Sequence, residues 1–225
     1  MKWIPPLLAL IVLAIFMGYF FTRKTRSKEV TGFLMVAGAF FIYHLGDLGM
    51  WAGWNYELFR RIASLGYYLE IPALLYLAYQ LLSPEQRAGW VKTLSWLLCV
   101  PWVVAIVLLK DYPNNFLEYP NLPEGMDPGR HDTLVNTLIL FFIIGVIVVA
   151  MFAFRAAKTA EGAKKSLAKA VGWATIILLV LEIVLFAFIE AVKYDPTYLF
   201  GFISIFWAAF VGNKLRPLQQ PVTVA

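Results

Sequence analysis

The chain has 225 residues, of which 61% are hydrophobic and only 15% charged, and its formal net charge is +5. With a mean hydropathy of +0.72, it is not an ordinary water-soluble domain, in which about 25% of residues are charged. Nucleic-acid binding is excluded as well, because no basic, aromatic-interleaved face lies outside the apolar segments.

A helix needs roughly 20 apolar residues to cross about 30 Å of hydrocarbon. Such runs occur at 3–21, 30–53, 62–82, 93–109, 133–154, 170–190 and 197–211. They predict an all-α, seven-transmembrane-helix bundle in a single domain covering 1–225, with no internal repeat. The first run is read as a retained span and not a cleaved signal, because no small-residue cleavage pattern follows it and the basic "TRKTRSK" flanks its far end.

Lysine and arginine set the orientation, since cytoplasmic segments retain them. Thirteen of the 19 fall in alternate connections: Arg23, Lys24, Arg26 and Lys28; Arg87 and Lys92; the segment 155–169; and Lys214 with Arg216. The N-terminus is therefore expected outside and the C-terminus in the cytoplasm, with membrane lipid as one partner and the inner membrane of a prokaryotic cell as the expected location. Cys99 is the only cysteine, so no intrachain disulfide can form. Trp3, Trp51, Trp54, Trp90, Trp96, Trp102 and Trp173 lie mostly near predicted helix ends and read as an interfacial belt. The one long connection, "KDYPNNFLEYPNLPEGMDPGRHD" at 110–132, is rich in proline and acid and reads as an external cap or lid.

The third run, "RRIASLGYYLEIPALLYLAYQLL", carries the sharpest anomaly: Glu70 two residues before Pro72. A carboxylate in hydrocarbon and a proline inside a helix are each costly. Counting from the outer end puts Glu70 about 12 Å deep, beside the small Ala63, Gly66 and Ala73, and Glu182 of the sixth run falls at a similar depth. The second run, "FFIYHLGDLGMWAGW", brings His44 and Asp47 to one face at i, i+3. These four form an expected outward-facing layer for protons, a small ligand or a cation, with Pro72 as a helix kink. Plainer readings stand beside it. His44 can bond a carbonyl or Asp47, and Glu70 and Glu182 can be protonated hydrogen-bond contacts between helices. In the basic segment "RAAKTAEGAKKSLAK", Lys164 and Lys165 are candidates for docking a partner, against a purely lipid-contacting role.

Several chemistries lack their residues. The last run, 197–211, has no lysine for a retinal Schiff base. Only two histidines, His44 and His131, are present where a zinc hydrolase needs about three. Neither GxGD, GxSG nor a PQ dipeptide occurs. No metal, cofactor or enzymatic activity is expected.

The order of parts, the third run "ASLGYYLEIPALLYLAYQLL" with its central glycine and proline, the long loop before the fifth run and the closing "NKLRP" resemble the seven-transmembrane sensor domains that precede histidine kinases and related output domains in bacteria and archaea. The resemblance implies that a stimulus is taken outside and passed to a cytoplasmic module. Only "NKLRPLQQPVTVA" follows the last run, so the expectation is a non-enzymatic sensor-like module without an output domain, acting through a separate membrane or cytoplasmic partner. An accessory subunit of a larger membrane complex and a small-solute or proton-coupled transporter are the alternatives.

Overall fold

The computed structural model describes residues 1–22, 27–107, 133–192 and 196–219. The expected cap at 110–132, His131 included, lies outside the described residues. Within them every regular element is helical, and seven helices are long and apolar enough to cross a membrane. These are α1 (Ile4–Phe21), α2 (Lys28–Trp51), α3 (Tyr56–Leu81), α4 (Gly89–Val107), α5 (Thr133–Thr159), α6 (Gly162–Val192) and α7 (Phe200–Leu215).

Local chemistry fixes most of the ends. Pro5 and Pro6 open α1, where a missing N–H costs nothing. Ser27 caps α2 by accepting from the Val30 amide at 3.3 Å, and Asn55 caps α3 by accepting from the Leu58 amide at 3.0 Å. Gly53, at φ +75°, turns the chain between them. Gly162, at φ +53°, does the same between α5 and α6.

Two boundaries depart from expectation. α3 begins at Tyr56 and not at 62, because its first turn is polar but well capped. There Glu57 bridges Arg60 at 3.0 Å and Arg61 at 2.7 Å. The segment 155–169 is not a loop either: α5 runs to Thr159 and α6 starts at Gly162. Hydropathy drops at Arg155, whereas the helical hydrogen bonds continue through alanine and lysine, both strong helix formers.

The helices close into a ring in which α7 packs on both α1 and α6, and α3 touches α2, α4, α5 and α6. The most extensive pairing is α2 with α3, and glycine makes it. A methyl group on Gly46 would fall on the Ala63 amide, one on Gly66 would lie 2.6 Å from Tyr43 Cα, and one on Gly32 would lie 2.8 Å from Leu77 Cα. The two backbones therefore touch over most of their length, as small residues allow in apolar surroundings. Gly201 similarly brings α7 against the Pro5 carbonyl of α1.

Aromatic rings fill the rest of the core. Phe33 stacks on Trp207 at 5.8 Å and meets Phe20 edge-on at 5.1 Å, joining α1, α2 and α7. Tyr67, Trp102 and Phe142 form a second cluster joining α3, α4 and α5. Trp102 is fully buried there, so it does not belong to an interfacial belt. Trp3, Trp54, Trp90, Trp96 and Trp173 remain exposed on helix surfaces.

Candidate functional site

All four ionisable residues singled out in the sequence are buried: His44 at 0%, Asp47 at 2%, Glu70 at 5% and Glu182 at 6% exposure. Side chains of this kind reach such burial only when the fold makes room for them.

Glu70 sits on the stripe of α3 that carries Ala63, Gly66 and Leu77, the residues packed against α2. Next to it, Ile71 packs on Gly145 of α5. Glu182 lies on α6 in line with the buried Thr175 and Leu178, while Leu181, Ile183 and Val184 around it are exposed. The stripe Thr175, Leu178, Glu182 is thus the inward face of α6. α3 and α6 are in contact, and both carboxylates are buried on the faces of these helices that turn into the bundle. Glu70 Oε1 is buried and, among the described residues, has no hydrogen-bond partner.

Pro72 lies inside α3, which stays helical on both sides of it. Because proline has no N–H, the Tyr68 carbonyl one turn earlier receives no helical bond from it. The helical ladder beside Glu70 therefore lacks one N–H donor.

His44 forms a different pair. Its Nε2 lies 2.8 Å from Ser204 Oγ of α7, in a fully buried contact. A neutral imidazole offers one donor and one acceptor, and its Nδ1, also buried, has no hydrogen-bond partner among the described residues. Ser204 was not singled out in the sequence, although its hydroxyl is the only one between Phe200 and Val211. The edge of Tyr43 covers the His44 ring at 5.0 Å.

The α2–α3 register separates these pairs in depth. Gly66 opposes Tyr43, Gly46 opposes Ala63 and Gly32 opposes Leu77, so Glu70 is level with Ala39. His44 then lies about 7 Å and Asp47 about 12 Å nearer the α2–α3 turn. The expected single layer is instead two tiers. The glutamate pair occupies the deeper one, and the His44–Ser204 contact and Asp47 lie above it.

Comparison with known proteins gives no match: no protein-family model fits the chain, and none of the curated proteins is similar enough to count as a relative. The site must be read from its own chemistry. Among the described residues no group of three or more His, Cys, Asp or Glu side chains could hold a metal ion. Two buried carboxylates on neighbouring helices repel each other when both are charged, so a proton or a positive charge near them lowers the cost of burying both.

At the opposite end of the bundle, Lys164 in the first turn of α6 lies 3.6 Å from Glu29 in the first turn of α2. As a candidate for partner docking, it is already engaged within the chain. Lys165 is exposed and lines a cleft with Lys158, Lys169 and Trp173.

Proposed function

We propose that this chain is a non-enzymatic membrane module of the sensor type, in which the Glu70–Glu182 pair responds to protons or a small cation and the response passes through α6 to a separate protein. The supporting observation is the pair of buried acids on two helices that touch, one of which has an oxygen with no hydrogen-bond partner among the described residues, two positions before a proline inside its helix. A merely structural pair would be cheaper as apolar residues of similar size.

The orientation belongs to the same proposal: N-terminus outside, C-terminus in the cytoplasm of a prokaryotic cell, carried by the 13 basic residues on one side. A reporter fused after Ala225 is then expected to be active only in the cytoplasm, and a label applied to intact cells should reach the 110–132 segment. Labelling of that segment only after lysis would invert the assignment.

An accessory-subunit role is favoured by one feature. α4 has the smallest buried share of the seven spans, and Trp96, Leu97, Val100 and Val103 stand exposed along it, an apolar face that either lipid or another protein can cover. Purification from the native membrane separates these readings. A sensor should bring down a partner whose activity changes with pH or cation, whereas a subunit should bring down a stoichiometric assembly with α4 shielded from lipid-soluble labels. Solute movement by the chain alone in vesicles would overturn both in favour of transport.

A further inference from the structure

At the end of the bundle opposite the α2–α3 turn, a cleft of about 640 Å³ opens between α4 and α5. Its floor is apolar, built from Leu94 of α4 and Val148, Met151 and Phe152 of α5. Its mouth is not: Arg155 and Lys158 stand there, with Trp90 and Gln86 across from them. The Arg155 guanidinium lies 5.6 Å from the centre of the exposed Trp90 ring, which holds the cation over the mouth and away from α5. Gln86 donates to the Arg155 carbonyl at 2.9 Å and fixes the short turn at Pro84–Gln86 against α5. A second cleft, of about 410 Å³ between α5 and α6, adjoins the first. Phe154 and Lys158 line both, and Lys165 and Lys169 add two more cations.

The dimensions and the charge point to one kind of occupant. From Lys158 to Val148 the cleft follows α5 for about 15 Å, which is half of a hydrocarbon core about 30 Å thick, or one leaflet. It therefore combines an apolar trough one acyl chain deep with cations at the level of the headgroups. Glu161 is the only acid between residues 155 and 169, so the positive charge at the mouth is largely uncompensated.

We propose that the α4–α5 cleft seats one anionic phospholipid, with its phosphate between Arg155 and Lys158 and an acyl chain along Leu94, Val148, Met151 and Phe152. The proposal rests on the reading that the chain spans a bilayer, and it does not depend on the glutamate pair or on a sensor role. Lys165 and Lys169 extend the cationic rim toward α6, so the bound headgroup touches both helices that carry the basic end.

Brominated lipids test this, since bromine quenches tryptophan fluorescence only at contact and Trp90 and Trp173 flank the two clefts. The full chain, in phosphatidylcholine vesicles, is exposed to brominated phosphatidylglycerol or brominated phosphatidylcholine. Quenching is expected at several-fold lower mole fraction of the anionic lipid, and Trp90→Phe should remove most of that selective component. Arg155→Gln and Lys158→Gln should each cut the selectivity about fivefold, while Lys214→Gln, at the exposed end of α7, should leave it unchanged. Inorganic phosphate should not compete, because it lacks the acyl chain. Equal quenching by the two lipids in the unaltered protein overturns the proposal without any variant. So does an equal loss in Lys214→Gln, which would reduce the effect to general surface charge, and so does displacement by phosphate alone.

Discussion

Glu70→Gln is expected to fold like the unaltered protein and to lose its response to pH and cations. Glutamine keeps the shape and the hydrogen-bonding groups but cannot carry a negative charge, so it removes the one property that a proton- or cation-holding pair needs. The observable is amide hydrogen exchange in the segment around Pro72, corrected for base catalysis of the chemical step. In the unaltered protein, protection there should change with pH and with added cation, because the ladder already lacks the N–H of Pro72. In Glu70→Gln and in Glu182→Gln protection should be constant. Glu70→Leu separates the two readings of the pair. Leucine should be tolerated without loss if the carboxylate is functional, and should cost about 0.6–2 kcal/mol if it is an interhelical hydrogen-bond contact. Constant protection in the unaltered protein would remove the sensor reading.

Gly66→Ala should be the more damaging change to the fold, although it adds one methyl group. That methyl would lie 2.6 Å from Tyr43 Cα and 2.8 Å from the Ala39 carbonyl oxygen, and neither is a flexible side-chain end that can swing away. The helices must part, at a cost of about 1–3 kcal/mol for overpacking a close contact. Gly38→Ala on α2 is the control. A methyl there meets nothing within 4 Å, so the higher helix propensity of alanine should stabilise by up to about 1 kcal/mol. Denaturant unfolding in detergent followed by circular dichroism reads both. Equal stability of Gly66→Ala and Gly38→Ala would mean that the α2–α3 backbones do not touch as described.

Apolar run length alone was enough to locate seven helices, because a helix satisfies its backbone hydrogen bonds within its own segment and long apolar runs favour it. It failed where helices continue past their apolar part, at Tyr56–Arg61 and at Arg155–Lys169, since capping and propensity, not hydropathy, decide those turns. Counting residues placed Glu70 and Glu182 on helices that do touch, and both are buried. Counting could not show that His44 meets Ser204 on a helix 160 residues away. It could not show that Trp102 points into the core either, since rotation of a helix about its axis is set by its neighbours. Gly66 was legible as a small neighbour of Glu70, but the α2 backbone that it admits was not. Nor did the run of lysines disclose that Lys164 is held by Glu29.

The glycine contact between α2 and α3 has a mechanical consequence. Backbones in direct contact cannot slide or tilt without clashing, so these two helices move as one plate. α6 pairs mainly with α5, and it also touches the plate, through its contact with α3 and through the Lys164–Glu29 ion pair to α2. Between Glu182 and Lys164 the helix is about 27 Å long. Under the proposed response, a displacement of α6 at Glu182 would be carried along the helix to its basic end, where it would have to stretch the Lys164–Glu29 contact.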